Sequence, residues 1–554
     1  MFRPTVRRAL RNHISLTACL SLLPAIVAAQ TLTPIQYTIS IPAPESHTVQ
    51  VQARIPSDGR QSVDLMMAVW SPGYYVQENY ATHVQQLAAR AQDGRPLAVK
   101  HATPNRWSVS AAGAPAILLS YTLIADHHSV TGDWVDSTMA ILNGPATYIT
   151  LAEHAKRRHT VSLELPPQWR NSATSLGEAD DGLPNHYVAA SYDELADSPI
   201  IAGNISVHAF EVAGAKHYLA DIGDIPPGWD GALAARNLER FVTADYKFWG
   251  FLPFRKYVFL NVFRQGGGGL EHLNSTLLTS SPKSSGGGDM RWLQYVSHEY
   301  FHAFNVKRLR PVQLGPFNYE KPPKTPSLWI SEGLTTYYGN LMVSRGGIGT
   351  QQDVLNALSR AITSVQTSPG RRVQTLEQAS LDIFSTGGSG IGGDRNTTVS
   401  YYDKGLIAGL LLDARIQRVT NGKKGLDDLM RLAYKRYGGA HGFTPEQWVA
   451  TASDVAGTNL TGFFHTLLRT TDEIDYSEAL NWFGLRFAPS GNPATAWNLE
   501  VRPDATPKQT ARLNKLTQPY TTMNAAADAD GHSSRRAYGA RATPSRLVYS
   551  LYGG

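Results

Sequence analysis

The first third of the chain alternates apolar and polar residues with a period of two, and glycine, proline and asparagine separate the alternating segments. The clearest segments read IQYTISIP, HTVQVQARI, VDLMMAVW, AILLSYTLIA and HTVSLELP. Short alternating strands between turn residues predict an all-β, sandwich-like domain over residues 30–204. Two roles stay open for it, structural support and one wall of a substrate cleft. Tyr74, Tyr75 and Glu78 are the residues considered for such a wall, and none is assigned to the site.

After residue 204 the pattern changes to strands and then helices. The strand-like segments are ISVHAFEVA, KHYLADIG and KYVFLNVF, with a helix predicted near residues 231–246 between the last two. From Asp289 to Val306, apolar residues recur at helical spacing behind a glycine-rich breaker, and a second helix is predicted to start at Thr325-Pro326. Four later segments are predicted helices and two near the end look strand-like: LIAGLLLDARI, LDDLMRLAYKRYG, TPEQWVATASDVAG and LTGFFHTLLRTT, then ALNWFGLRFA and AWNLEVRP.

These patterns divide the chain behind the β domain into further parts. Residues 205–330 are predicted to form an α/β part, residues 331–485 a helical part, and residues 486–517 a short strand and helix. Residues 518–554 are rich in Ser, Ala, Gly and Arg without periodicity, which predicts a disordered tail. The run GGSGIGG at residues 387–393 is predicted to be a mobile loop near the cleft.

The N-terminus has the features of a secretory signal peptide. Four arginines within the first eleven residues precede an apolar run from Ile14 to Val27, and Ala28-Ala29 offers a cleavage site. We therefore expect residues 1–29 to be removed and the mature chain to be periplasmic or secreted. The formal net charge of +6 then falls to roughly +2, because the four arginines are removed, so charge does not favour nucleic acid as a partner. The only cysteine, Cys19, is removed as well, and neither a disulfide nor a stable membrane anchor is expected.

The candidate chemistry lies in the stretch VSHEYFHAFNVKRLRP, where His298, Glu299 and His302 form an H-E-x-x-H motif. Residues four apart share one helical face, so the two imidazoles can bind the same zinc ion. Glu299 points beside them, where its carboxylate can take a proton from a metal-bound water. Glu332, on the second predicted helix, supplies a third ligand. The pattern indicates metal-assisted hydrolysis, with one Zn²⁺ ion as the cofactor.

Several segments resemble the glycyl aminopeptidase family of zinc metallopeptidases, which is of the gluzincin type. They read WSPGYYVQENYATHV, YDELADSPI, HEYFHAFNVKRLRP, PFNYE, LWISEGLTTYYG and YYDKG, and the resemblance extends from about Thr31 to Lys515. It implies an α+β, multidomain fold, in which a thermolysin-like catalytic domain with a mixed sheet and a helical bundle follows the all-β domain. Family members commonly continue into a PDZ domain. The residues after Pro503 are too few for that module, so recognition by a PDZ groove is not expected.

The glycine-rich run that follows KYVFLNVF has more than one interpretation. A phosphate-binding loop is disfavoured because the run lacks Lys-Ser/Thr and does not start a helix, whereas a flexible hairpin remains an alternative. The resemblance implies instead an edge strand of Gly268, Gly269, Leu270 and Glu271 that binds an extended peptide. Glu271 then pairs with the free α-amine of the substrate.

The resemblance also implies a transition-state tyrosine. In the segment YYDKG, Tyr402 occupies the Y-x-K-G position and is expected to donate a hydrogen bond to the developing oxyanion. Tyr401 directly precedes it, and which of the two tyrosines faces the zinc stays open. A buried tyrosine at a helix start is otherwise a core residue.

Together these features predict an exported zinc-dependent aminopeptidase that hydrolyses peptides from their N-terminus through a zinc-activated water. The resemblance implies a preference for small N-terminal residues, Gly or Ala. Two alternatives are a zinc endopeptidase with an open cleft and a secreted binding protein with a non-catalytic zinc site. The binding protein is disfavoured because structural zinc sites usually have four protein ligands, often cysteines, and the mature chain has no cysteine. A peptide substrate is the expected partner, and the sequence does not indicate an oligomeric state.

Overall fold

The computed structural model describes Met1 and residues 32–153, 156–281, 286–385, 393–490, 492 and 496–520. The predicted signal peptide beyond Met1, the glycine loop at 386–392 and residues 521–554 of the predicted tail lie outside these ranges. Within them a β-rich N-terminal region is followed by a mixed sheet and then by helices. The predicted α+β class, with an all-β domain first, is therefore confirmed.

The N-terminal region consists of strands in three sheets, with two short helices, α1 (Gly144–Thr147) and α2 (Tyr192–Ala196). Its strands are β1 (Ile35–Ser40), β2 (Thr48–Pro56), β3 (Ser62–Met66), β4 (Val84–Ala91), β5 (Pro96–Leu97), β6 (Val99–Thr103), β7 (Arg106–Ser110), β8 (Ala116–Ile124), β9 (Trp134–Val135), β10 (Met139–Leu142), β11 (Thr150–Leu151), β12 (His159–Glu164), β13 (Asn171–Thr174), β14 (Gly177–Glu178), β15 (His186–Ala189) and β16 (Ile200–Gly203). The sheet orders are β14-β15-β12-β1-β2-β8-β4-β5, β11-β3-β7-β6 and β13-β16-β10-β9.

The alternation in the sequence corresponds to the two faces of these sheets. In β2, Val49 and Val51 are buried, whereas Gln50 and Gln52 are exposed. Val49 and Val51 share one hydrophobic core with Leu65 of β3, which belongs to another sheet. The large sheet and the β3 sheet therefore pack face to face, as in a sandwich.

A mixed five-stranded sheet begins the second region. Its strands are β17 (Ser206–Val212), β18 (Ala215–Gly223), β19 (Lys256–Phe263), β20 (Gly268–Glu271) and β21 (Ser275–Ser280). The order is β17-β18-β19-β21-β20, in which β18, β19 and β21 are parallel, and β17 and β20 are antiparallel to their neighbours. The glycine-rich run therefore becomes an edge strand, paired with β21 on one side only.

The small β13-β16-β10-β9 sheet joins the two regions. Ala140 and Leu142 of β10 belong to the N-terminal core, whereas Met139 and Ile141 pack with residues of the five-stranded sheet such as Leu260. Neighbouring strand residues point to opposite faces, so both faces of this sheet are buried. The N-terminal domain is thus fixed to the second region through a continuous apolar contact.

The remainder of the described chain is mostly helical. Its helices are α3 (Gly231–Trp249), α4 (Met290–Phe301), α5 (Thr335–Arg345), α6 (Gln351–Gln366), α7 (Leu376–Leu381), α8 (Tyr401–Val419), α9 (Leu426–Tyr437), α10 (Pro445–Ala456), α11 (Thr461–Arg469), α12 (Ser477–Phe483) and α13 (Pro507–Thr517). A π-helical turn, Trp329–Leu334, precedes α5, and strands β22 (Leu485–Phe487) and β23 (Leu499–Val501) form a hairpin-like pair. In the ranges that the structure describes, no helix combines the length and apolarity needed to cross a bilayer.

For α4, the helix with the H-E-x-x-H motif, the predicted start is right and the predicted end is wrong. Asp289 caps α4 by accepting a hydrogen bond from the Trp292 amide (2.9 Å). The helix ends at Phe301 instead of Val306, because Lys307 donates from its backbone to the His302 carbonyl (3.1 Å) and turns the chain. A positive φ of 107° at Val306 belongs to the same turn.

Two further predicted boundaries are wrong. Thr325 accepts a hydrogen bond from the Ser327 amide (3.3 Å), but helical residues begin only at Leu328, directly before the π-helical turn. The first half of ALNWFGLRFA is helix α12 rather than strand, since Ala479 and Trp482 are buried at helical spacing. Gly484, with φ of 68°, ends that helix and lets β22 begin.

Candidate metal and peptide site

Two imidazoles lie together at the C-terminal end of α4. His298 lies in its last turn and His302 directly follows the helix, with 3.0 Å between the two Nε2 atoms. Helix α5 packs closely here, because a Cβ on Gly339 would lie only 2.9 Å from the His298 Cα. The close contact places the residues around α5 next to the imidazole pair.

Hydrogen bonds at Nδ1 fix the tautomer of both histidines. His302 Nδ1 lies 2.9 Å from the Asn305 carbonyl, which can only accept, so this nitrogen carries the proton. The Thr336 hydroxyl donates to the Glu332 carbonyl (2.8 Å) and therefore accepts from His298 Nδ1 (3.2 Å). Both Nε2 atoms are left with a free lone pair, as metal ligands require.

Glu332 reaches the imidazoles from the π-helical turn before α5. Its Oε2 lies 3.1 Å from His302 Nε2 and 3.5 Å from His298 Nε2. The Asn305 side chain holds the turn by donating to the Ile330 carbonyl (2.8 Å). Widened π-helical turns occur frequently at functional sites, and here the turn brings Glu332 to the histidine pair.

The other carboxylate oxygen of Glu332 is held from the N-terminal domain. The Tyr75 hydroxyl donates to Glu332 Oε1 (3.0 Å), and the two side chains are 4% and 2% exposed. Burial raises the pKa of Glu332, but the positive charge that His302 carries when it is protonated lowers this pKa below its usual range. Glu332 is therefore an ionised ligand candidate with both oxygens engaged.

The donor atoms fit a zinc ion. A tetrahedral Zn²⁺ with bonds of about 2.1 Å needs ligand atoms roughly 3.4 Å apart. The three separations among His298, His302 and Glu332 are 3.0, 3.1 and 3.5 Å. A second group, Glu271, Glu299 and His302, also has donor atoms within 4.8 Å of one another. Three buried carboxyl groups around one imidazole pair give the site an excess of acidic groups, which a divalent cation would offset.

Glu299 lies beside the imidazoles and is 6% exposed. Burial raises its pKa to about 8, with His302 lowering it and Glu271 raising it further. Strand β20 passes directly over its carboxylate, since a Cβ on Gly269 would overlap Glu299 Oε1. Only glycine allows this approach between the edge strand and Glu299.

Glu271 ends strand β20 and is 4% exposed. Its Oε1 has no hydrogen-bond partner among the described residues. Burial raises its pKa to about 7, although His302 and Lys307 lower it. On the N-terminal domain, a Cβ on Gly73 would lie 2.5 Å from Glu271 Oε1, so the two domains meet at this carboxylate.

A cavity of ≈ 810 Å³ opens over these groups, and Gly268, Gly269 and Tyr402 line it. The Tyr402 ring centroid lies 6.0 Å from that of His298. Tyr401 stacks on Tyr402 at 4.9 Å but is 1% exposed and does not line the cavity. Tyr402 is therefore the tyrosine of the pair that faces this space.

Leu270 differs from the other predicted peptide-binding residues. Its side chain is 2% exposed and packs in the apolar layer with Val130 and Leu277 instead of lining the cavity. Alternate residues of a strand point to opposite faces, so Leu270 anchors β20 while Gly269 and Glu271 face the cavity. Leu270 can therefore contact a peptide through its backbone only.

The N-terminal domain supplies further residues that the sequence did not assign to the site. Tyr74, His127 and His128 line the cavity from two loops of this domain. Asp197 of the same domain accepts hydrogen bonds from Lys307 Nζ (2.8 Å), just after the metal residues, and from the Leu273 amide (2.7 Å), after β20. The wall role considered for this domain is thus realised in the structure.

Two family models match the chain. The Peptidase M61 N-terminal domain matches residues 36–204, and the M61 glycyl aminopeptidase model matches residues 291–408, which include His298, His302 and Glu332. Together they cover about half of the 554 residues. The chain belongs to the M61 glycyl aminopeptidase family. As a member of this family it is a metallopeptidase.

Solved structures share the fold of this M61 member. An aminopeptidase N family protein from Idiomarina loihiensis aligns with a TM-score of 0.77 and 25% identity, over 81% of this chain and 78% of its own. An M1 zinc metallopeptidase from Deinococcus radiodurans aligns with a TM-score of 0.50 and 12% identity, over 80% and 95%. A mutant of that enzyme bound to a Tyr-Ser-Ala substrate aligns with a TM-score of 0.51 and 11% identity, over 80% and 95%. The two Deinococcus structures show a likeness of fold alone. A search of curated proteins finds no match.

Proposed function

We propose that this M61 family member is an exported, zinc-dependent aminopeptidase that removes small N-terminal residues, Gly or Ala, from peptides. The observation that carries the proposal is the buried carboxyl group of Glu271 at the end of edge strand β20. Its oxygen lies within 4.8 Å of the His302 donor atom. A carboxylate next to the metal donors can pair with the free α-ammonium group of a peptide whose first residue lies there.

His298, His302 and Glu332 would hold one zinc ion. When bound, zinc supplies a Lewis acid that polarises the scissile carbonyl and makes water a better nucleophile at neutral pH. The free lone pairs on both Nε2 atoms and the ionised Glu332 support this assignment. The carboxyl groups of Glu332, Glu271 and Glu299 surround His302 and favour a cation at this position, which further supports the zinc assignment.

Glu299 has the position of a general base and acid. It takes the proton of the attacking water and then delivers it to the leaving amine. Its pKa of about 8 suits a group that must accept and release a proton near neutral pH. Tyr402 faces the same cavity and donates a hydrogen bond to the oxygen on which charge develops.

Strand β20 provides the backbone for peptide binding. It pairs with β21 on one side only, and Gly268 and Gly269 line the cavity. An extended peptide can add to this edge as a further strand, with its first residue between Glu271 and the metal donors. The backbone of Gly73 lies against the Glu271 carboxylate, and this close approach supports small N-terminal residues. Export rests on the signal-peptide features of residues 1–29.

The base is tested with Glu299→Gln, which keeps the shape of the side chain and removes its proton chemistry. We expect zinc content near that of the wild type, measured by mass spectrometry. Turnover of alanine p-nitroanilide should fall about 100- to 10,000-fold, the usual contribution of a general acid or base. Unchanged turnover would reject the mechanism.

The aminopeptidase assignment is tested by blocking the substrate amine. Free Ala-Ala-Ala should be cleaved, and its N-acetylated form should be cleaved far more slowly. Glu271→Gln should lose most of this discrimination, because a neutral amide does not pair with an ammonium group as a carboxylate does. Equal cleavage of both peptides by the wild type would instead identify an endopeptidase.

A further inference from the structure

The catalytic cavity contains a cation that the proposed chemistry does not use. Arg360, on α6, is the only lysine or arginine in the cavity lining that the described residues form. The acidic residues of the same lining are Glu271, Glu299, Glu332 and Asp403. Glu271, Glu299 and Glu332 belong to the metal and amine region, so their negative charge is concentrated there.

Arg360 forms no close ion pair within the described part of the chain, although the charge of Asp353 on the same helix acts on it. Its Nη2 donates to the neutral Gln294 Oε1 at 3.3 Å, and no carboxylate oxygen of the described residues lies within 4.0 Å of it. The nearby Asp403 instead accepts a hydrogen bond from the Ser364 hydroxyl (2.6 Å). An arginine side chain offers several donors in a planar fork that matches a carboxylate, and here that fork is open to a ligand.

The position of Arg360 relative to the metal donors follows from its contact with Gln294. Gln294 and His298 are four residues apart on α4, so they lie on one helical face about one turn, ~5.4 Å, apart. A peptide advances about 3.5 Å per residue. A carboxylate that lies one or two residues beyond the scissile carbonyl therefore comes within reach of a guanidinium held at Gln294.

We propose that Arg360 binds the C-terminal carboxylate of dipeptide and tripeptide substrates. The cavity then complements both charged ends of a short zwitterionic peptide, with Glu271 at the amine and Arg360 at the carboxylate. This inference rests on the proposed aminopeptidase function and adds the class of substrate to it.

A second cavity of ≈ 1000 Å³ shows where longer chains would go. It shares Arg360, Ser400 and Asp403 with the catalytic cavity and continues along α6. A peptide of five residues would extend roughly 14 Å beyond the scissile bond and place its carboxylate past Arg360. Recognition by Arg360 is thus specific to short peptides.

The experiment compares peptide acids with their C-terminal amides on the zinc-loaded enzyme. For Ala-Ala and Ala-Ala-Ala, the wild type should show a higher kcat/KM on the acid, mainly through a lower KM. Arg360→Gln should reduce the acid-to-amide ratio of kcat/KM by roughly 10- to 100-fold, as expected for loss of a charged hydrogen bond. Arg360→Lys should restore part of the ratio. For a pentapeptide, the ratio should be near one in both proteins.

The matched control is Arg236→Gln, which removes an exposed arginine of α3 that lines neither cavity. It should keep the wild-type ratio. The inference is overturned when the wild type has the same kcat/KM for peptide acids and their amides. It is also overturned when Arg360→Gln lowers kcat/KM for the acid and the amide by the same factor. Alanine p-nitroanilide has no carboxylate, so its cleavage tests the proposed aminopeptidase function independently of Arg360. A wild type that does not cleave it contradicts the aminopeptidase assignment, whereas one that cleaves it without acid preference contradicts only the role of Arg360.

Discussion

The contact between Tyr75 and Glu332 predicts that the N-terminal domain tunes metal affinity. Tyr75→Phe removes a single hydroxyl group and leaves the ring in place, where it packs edge-on against Phe384 and Tyr401. The lost bond is the 3.0 Å donation to Glu332 Oε1, in a site where both side chains are buried. Glu332 Oε1 would then face the cavity without this donor.

The size of the effect follows from the charge on the acceptor. A hydrogen bond to an ionised group contributes about 1.5–3 kcal/mol. Because about 1.4 kcal/mol corresponds to a tenfold change in a binding constant, zinc affinity should fall roughly 10- to 100-fold. Activity at saturating zinc should change much less, since Tyr75 holds Glu332 and does not touch the reacting atoms in the proposed mechanism.

Zinc affinity is measured by competition with a chromophoric chelator on protein stripped of metal. Tyr148→Phe is the matched control, because Tyr148 is another buried tyrosine of the N-terminal domain, 1% exposed, whose hydroxyl has no partner among the described residues. It should bind zinc as the wild type does. A folded Tyr75→Phe protein with a zinc Kd within twofold of the wild type would refute the reasoning.

Three further predictions follow from other contacts. Gly269→Ala places a Cβ on the Glu299 carboxylate, so turnover should collapse while zinc content, measured by mass spectrometry, stays near the wild-type value. Asp197→Asn leaves Lys307 buried without its anionic partner, and the free energy of unfolding in urea should fall by about 3–5 kcal/mol. Burial lowers the pKa of His217 to about 4. Its contribution to stability is present above pH 6.5 and is lost as the pH falls towards 4, by about 3 kcal/mol, so His217→Gln should flatten this part of the urea-stability profile.

The local features of the site could be predicted from the sequence because they depend on short-range geometry. The spacing of His298 and His302 places both on one helical face, and α4 does begin at the predicted cap, Asp289. The end of α4 could not be predicted in the same way. It depends on the turn at His302, whose imidazole donates a hydrogen bond to the Asn305 carbonyl. A helical pattern that continues to Val306 does not reveal that turn.

Long-range contacts explain the remaining differences. Tyr75 is 257 residues from Glu332 in the chain, and no periodicity connects the two. The segment that contains Asp197 supports the family resemblance, yet its ionic contact with Lys307 spans 110 residues and becomes visible only in the fold. Polar groups of this kind are placed by tertiary packing, about which amphipathic patterns give no information.

The N-terminal domain therefore acts as both support and wall, the two roles that the sequence left open. Its small sheet is buried between two cores, with Met139 on one face and Ala140 on the other, so the domain is not a loosely attached module. The same rigid attachment gives Tyr75 a fixed position at Glu332 and brings Gly73 against Glu271. A loosely attached domain would lose conformational entropy each time it formed these contacts. Because the buried small sheet already holds the domain in place, this entropy is lost once, on folding. Packing far from the metal donors therefore preorganises the site.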